Sequence, residues 1–244
     1  MLRFSSLAIT ASLLGLAACN RAPDTAATTN VVEPAAQAVA STKWNETVSK
    51  TADGGMLMGN PDAKVKLVEY GALSCSHCAE FSEKSHTELM NMVAKGTLSF
   101  EFRPFLLNAL DVPASLLVRC GGAGPSFPVT QQLYAAQAEW LGKTKDISAA
   151  DQKSFETMPQ TAQMNFLAEK LGLISFVQAR GIGAEQAKAC LNDTKAVEEL
   201  GKISEVAQSK YKLTGTPTFV LNGQTVPDTS TWELLKPKLL AAGA

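Results

Sequence analysis

Two cysteines three positions apart, in Cys75-Ser76-His77-Cys78, carry the chemistry to be expected of this chain. The motif follows an apolar run, Val65-Lys66-Leu67-Val68-Glu69-Tyr70, and precedes a run with helical periodicity. Thiols at that spacing at a helix start can close a disulfide. The helix N-terminus favours the thiolate, because its N–H groups and dipole stabilise negative charge and lower a cysteine pKa. The arrangement reads as a redox-active dithiol. Cys75, ahead of the first full turn, is the expected nucleophile, and Cys78, one turn inward on the side of Phe81 and Leu89, its buried partner. Two other uses of the pair compete. A structural zinc site needs about four ligands, typically from a second close pair. The other cysteines are Cys19, Cys120 and Cys190 and the only other histidine is His86, so no second half-site exists and no metal is expected. A purely structural disulfide would gain little by closing so short a loop.

Two neighbours bear on the thiols. His77 lies between them and can offer the Cys75 thiolate a hydrogen bond or a positive charge, which would stabilise the reduced form and make the disulfide a stronger oxidant. Glu69 is an acid inside an otherwise apolar strand, six positions before Cys75; the alternation leaves open whether it faces core or solvent. His86, more than two turns beyond His77, reads as an ordinary helix-flank residue.

The elements that position these groups follow from periodicity. Val65 to Tyr70 reads as a buried central strand. The next run places Cys78, Phe81, Leu89 and Met92 on one side and Glu80, Glu83, Lys84 and Glu88 on the other, and Gly96 ends it. Thr97 to Phe102 alternates as a strand, completing a β-α-β unit with a parallel crossover. Strand signals then vanish, and helices are predicted at 112–120, 129–141, 160–171, 174–180, 184–192 and 194–212. Thr218 to Leu221, the Asn222-Gly223 turn and Gln224 to Val226 form a hairpin. Ser230-x-x-Glu233 has the form of a capping box opening a last helix, in which Pro237 should introduce a kink. The fold class is α/β, a thioredoxin fold (β-α-β … β-β-α) with a large helical insertion. The expected divisions are a first half over 56–110, an insertion over 111–212 and a second half over 213–244.

The strand Val68-Glu69-Tyr70, the Cys75-Ser76-His77-Cys78 centre, the helical insertion and Gly215-Thr216-Pro217-Thr218 together resemble the DsbA family of exported thiol oxidoreductases. The resemblance implies that Pro217 is cis and faces the disulfide, with Thr216 offering backbone hydrogen bonds to a substrate chain and Ser76 beside it. It implies that Glu69 is a buried acid that moves the Cys78 proton, a task for which burial would raise its pKa. Ser76 departs from the proline frequent at that position, which leaves the strength of the oxidant open. The implied partners are unfolded exported polypeptides and a DsbB-like membrane quinone reductase, or a membrane electron donor were the protein an isomerase or reductase. No cofactor is implied. A thiolate metallochaperone is a different reading, but no Met-rich or distal His ligand accompanies the motif.

The chain's start supports export. Residues 1–18 read as a secretory signal: Arg3, then an apolar run from Leu7 to Ala18, too short to span a bilayer. Leu16-Ala17-Ala18-Cys19 resembles the bacterial lipoprotein signal, in which the cysteine is lipidated. Residues 19–55, rich in Ala, Thr, Val and Pro, read as a flexible tether. The expectation is a monomeric, membrane-anchored lipoprotein of the cell envelope or periplasm. A formal charge of −1 without a basic stripe argues against a nucleic-acid partner. Cys120 and Cys190 remain, and an oxidising compartment favours a structural disulfide between them over two buried free thiols.

Overall fold

A computed structural model describes residues 43–244. The expected signal peptide, Cys19 and the tether up to residue 42 lie outside the described residues. A six-stranded sheet forms the centre, in the order β1-β2-β4-β3-β5-β6. Its strands are β1 (Val48–Lys50), β2 (Met56–Gly59), β3 (Val65–Gly71), β4 (Leu98–Pro104), β5 (Thr218–Leu221) and β6 (Gln224–Thr225). β3 and β4 run parallel, joined through α1 (Ser76–Ala94), and the other pairs are antiparallel. Phe81, Leu89 and Val93 of α1 pack with Val65, Leu67, Leu98, Phe100 and Phe219 of the sheet. Trp232, Leu235 and Leu239 of the last helix, α10 (Trp232–Ala242), complete that layer.

Between β4 and β5 lie α2 (Asp111–Arg119), α3 (Ala123–Ala135), α4 (Gln137–Gly142), α5 (Ala149–Thr157), α6 (Gln160–Lys170), α7 (Leu173–Gln178), α8 (Ala184–Leu191) and α9 (Thr194–Tyr211). Their apolar faces share one core, with Leu117, Leu133, Leu171, Leu173, Leu191 and Leu200 almost wholly buried. Cys120, following α2, is bonded to Cys190 of α8, with Cα atoms 5.8 Å apart.

The structure departs from the sequence expectation in several places. Residues 43–55 are folded: Trp44–Glu46 form a 3-10 turn and β1 pairs with β2. A Cβ on Gly96 would lie 2.8 Å from the Trp44 indole, so this glycine, at φ +75°, admits the ring. The single helix expected over 129–141 is two, broken at Ala136 (φ −92°, ψ 9°). α5 was not anticipated; Ser148 and Asp151 open it with a reciprocal capping box. α10 is capped one residue later than expected, by Thr231, whose hydroxyl accepts from the Leu234 N–H. β4 is buried at every position and does not alternate. Its polar residues are paired: Arg103 holds Glu101 through two bonds of 2.7 and 2.9 Å and donates to the Tyr70 hydroxyl, while Thr51 donates to Glu101. A central strand covered on both faces tolerates charge only with such pairing. The Asn222-Gly223 hairpin has φ of 49° and 85°, as a type I′ turn requires.

Candidate active site

Cys75 is the N-cap of α1, with extended backbone (φ −83°, ψ 118°), so its sulfur faces the helix's unpaired N–H groups. The Cys78 N–H donates to Cys75 Sγ at 3.3 Å, and the Cys75 thiol donates to the Thr216 carbonyl at 3.3 Å. Both cysteines are free thiols here; Cys75 is 8% exposed and Cys78 not at all. The two sulfurs are driven apart in acidity. A hydrogen bond from the Cys78 thiol, then the Thr216 hydroxyl and the N–H groups of Cys78 and His77, bring Cys75 down to about 6 against the opposing effect of burial. Thr216 Oγ1 is buried and has no hydrogen-bond partner with Cys75 as a thiol, so it is free to donate as the thiolate forms. Cys78 is pushed far above the ordinary thiol range by burial, by the bond it donates to Cys75 and by the Glu69 charge.

Glu69 lies on β3, only 3% exposed, and its Oε1 has no hydrogen-bond partner. Burial, and secondarily the Cys75 charge, raise its pKa to about 8. A buried acid with that affinity is protonated at neutral pH and able to exchange a proton with the neighbouring Cys78. The peptide bond between Thr216 and Pro217 is cis, and the backbone there borders a cleft of about 320 Å³ between residues 211–218 and 225–229. Ser76 is exposed beside Cys75.

The His77 side chain departs from expectation. Its imidazole is 73% exposed, with Nδ1 4.0 Å from Glu80 Oε2, and among the described residues it makes no hydrogen bond to Cys75. The helix start, by directing the side chain of its second residue outward, leaves only the His77 N–H aimed at the sulfur.

Three residues with no signal in the sequence hold the loop that presents Cys75, and all come from the helical insertion. Asp111, fully buried, accepts from the Ser74 N–H (2.8 Å), the Ser74 hydroxyl (3.0 Å), the Leu107 N–H (3.0 Å) and the Asn108 N–H (3.1 Å). Burial raises its pKa, and the Ser74 hydrogen bonds oppose that rise. Gln137 donates to the Leu73 and Cys75 carbonyls at 2.7 and 2.9 Å, and the Tyr134 hydroxyl to Ala72 at 3.2 Å. The insertion therefore clamps the redox loop as well as covering the sheet. Only their burial marks these polar residues, and burial of a polar residue is not visible in a linear sequence. Among the described residues no group of three or more His, Cys, Asp or Glu could hold a metal ion, and no helix is long and apolar enough to cross a membrane.

The Thioredoxin family model matches residues 51–239. Among curated proteins, the "Putative protein-disulfide oxidoreductase" of Rickettsia bellii is 27% identical over 175 residues, covering 71% of this chain and 59% of that protein. Its namesake in Rickettsia felis is also 27% identical, covering 71% and 55%. The chain thus spans less than two thirds of the length of these relatives. The crystal structure of protein-disulfide isomerase from Novosphingobium aromaticivorans has a TM-score of 0.75 at 28% identity, covering 80% of this chain and all of that one. Wolbachia pipientis α-DsbA1 shares the fold, with a TM-score of 0.61 at 17% identity over 77% of this chain and 90% of that one.

Proposed function

The chain belongs to the thioredoxin family, and from that premise we propose that it is an exported thiol:disulfide oxidoreductase that donates its Cys75–Cys78 disulfide to folding polypeptides of the cell envelope. The observation that carries this is the unequal pair: a sulfur at a helix N-cap with a pKa of about 6, beside a fully buried one whose pKa is raised. Electrons then move in one order. A substrate thiolate attacks Cys75 Sγ, the bond to Cys78 breaks, and Cys78 leaves with the electron pair and takes a proton from Glu69. A second substrate thiolate attacks the substrate sulfur of the mixed disulfide, and Cys75 departs as a thiolate already stable at neutral pH. The cleft beside the cis-proline, lined by Thr216 and Pro217, offers backbone to an extended chain, and Ser76 is exposed beside Cys75.

The names of the relatives agree with this chemistry. Export and lipidation rest on residues 1–18 and Cys19, and reoxidation by a DsbB-like membrane partner rests on the family resemblance. A second reading, disulfide isomerisation, is favoured by the name of the Novosphingobium structure. The experiment is trapping: Cys78→Ala accumulates mixed disulfides with envelope proteins and Cys75→Ala does not. Adducts at Cys78 alone would reverse the roles, and none in either variant would sink the proposal. Refolding of reduced against scrambled substrate separates oxidase from isomerase.

A further inference from the structure

Glu69 is closed off by protein on nearly every side, yet its side chain forms part of the wall of a cavity of about 320 Å³ between α1, α3 and the sheet. The rings of Phe81, Phe100, Phe102 and Phe127 make up much of its inner surface. A polar file crosses it: Ser85 and Thr130 lie deep, 1% and 7% exposed, while Ser82, His86 and Gln131 are half-buried further out. Residues 82, 85, 86 and 89 fall on one face of α1, which is why the file is continuous. A second, outer groove of about 580 Å³ runs from Ser76 along α1, α3 and α4. Ser82, His86, Gln131 and Tyr134 line both spaces, so the two adjoin at these residues. The inner space has room for roughly ten waters at about 30 Å³ each, and an unpaired buried carboxyl oxygen gives such waters a partner.

We propose that this cleft is the proton port of Glu69, with His86 as the group that passes protons between solvent and the buried carboxyl. The inference rests on the reading of Cys75 and Cys78 as a reactive pair. It is carried by the juxtaposition of an orphaned buried carboxyl with a passage whose outer end holds a histidine. His86 is the cavity-lining side chain that can accept a proton at one ring nitrogen and give one up at the other. The other titratable groups lining these spaces are Glu80 and Glu83 of α1 in the outer groove, Tyr134 of α3, and Glu69 itself on β3. Asn45, in the turn before β1, is neutral.

The port matters most when the disulfide is re-formed. In a mixed disulfide between Cys75 and glutathione, the Cys78 thiol gives its proton to the Glu69 carboxylate and its sulfur attacks Cys75 Sγ. The bond to glutathione breaks, and glutathione leaves as a thiolate carrying the electron pair. Two electrons have then passed from the protein dithiol to oxidised glutathione. Glu69 must be ionised to accept the proton, yet it is protonated at neutral pH, so its own proton must first reach solvent. His86 accepts that proton and releases it at the surface. When the disulfide is donated, the flow reverses and Glu69 is refilled by the same path.

The test uses the full-length protein, reduced and then mixed with oxidised glutathione, following closure of the mixed disulfide by quenched-flow alkylation between about pH 6 and 9. His86→Ala is expected to slow closure on the order of tenfold near pH 7, with added imidazole restoring the rate. Ser82→Leu, which fills the outer passage, is expected to slow closure without rescue. Neither should shift the equilibrium with glutathione, because neither residue touches a sulfur. Wild-type closure rates in both variants would overturn the port, as would a slowed His86→Ala that imidazole leaves unchanged. Glu69→Gln is the separate control: normal closure in that variant would refute Glu69 as the proton acceptor of Cys78, independently of how protons reach it.

Discussion

Acidification from pH 7 to pH 5 should lower the stability of the reduced protein relative to that of the oxidised protein by a measurable amount, because only the reduced form carries the Cys75 thiolate. Cys75 titrates at about 6 when folded, against 9.0 for an ordinary thiol. Because the folded pKa is the lower, the contribution is complete above the unfolded pKa and disappears as the pH falls through about 6. From those two values the thiolate stabilises the reduced fold by about 1.4 kcal/mol at pH 7, by almost nothing at pH 5, and by about 4 kcal/mol above pH 9. At pH 7 that corresponds to about 30 mV of added oxidising power. Glu69 titrates in both redox forms, so its contribution cancels in their difference apart from its coupling to Cys75. The assay is paired urea unfolding of reduced and oxidised protein at several pH values, with the thiolate's ultraviolet absorbance as an independent titration. A reduced-minus-oxidised difference that stays flat between pH 5 and 7, or a thiolate midpoint above about 8, would refute the assignment of the low-pKa sulfur.

Burial raises Glu69 above its ordinary 4.5 to about 8, so the wild type should lose stability as pH rises between these values; Glu69→Gln should remove the slope and gain up to about 3 kcal/mol at pH 7, read from denaturant midpoints. Asp111→Ala strips the acceptor from the N–H groups of Ser74, Leu107 and Asn108; it should cost at least about 2 kcal/mol and change the alkylation rate of Cys75, whose loop it releases. Replacing Cys120 and Cys190 together with Ser opens a link across 70 residues and should cost about 4 kcal/mol or less in urea unfolding, leaving the Cys75 titration where it was.

The thiol pair, its place at a helix start and the β-α-β frame around it were legible in the sequence, because each rests on local rules. Apolar alternation marks strands, a 3.6-residue period marks α1, and Asn222-Gly223 supplies the positive φ its turn needs. Local rules failed wherever a distant segment supplied the missing partner. Residues 43–55 are poor in large apolar groups, yet strand pairing and the fit of Trp44 against Gly96 order them. Glu101 reads as the polar side of an alternating strand over 97–102, but both faces of β4 are covered and Arg103 neutralises its charge. The same distinction divides the site. Cys75 and Cys78 are three residues apart, so helix geometry alone joins them. Glu69 gained its raised pKa only when α1 closed over β3, and Asp111, Tyr134 and Gln137 reach the redox loop from 37 to 64 positions away. The type and spacing of the thiols at a helix start determined what chemistry is available, whereas desolvation and long-range hydrogen bonding, which exist only in the packed chain, drive the two sulfurs apart in acidity and raise the pKa of Glu69.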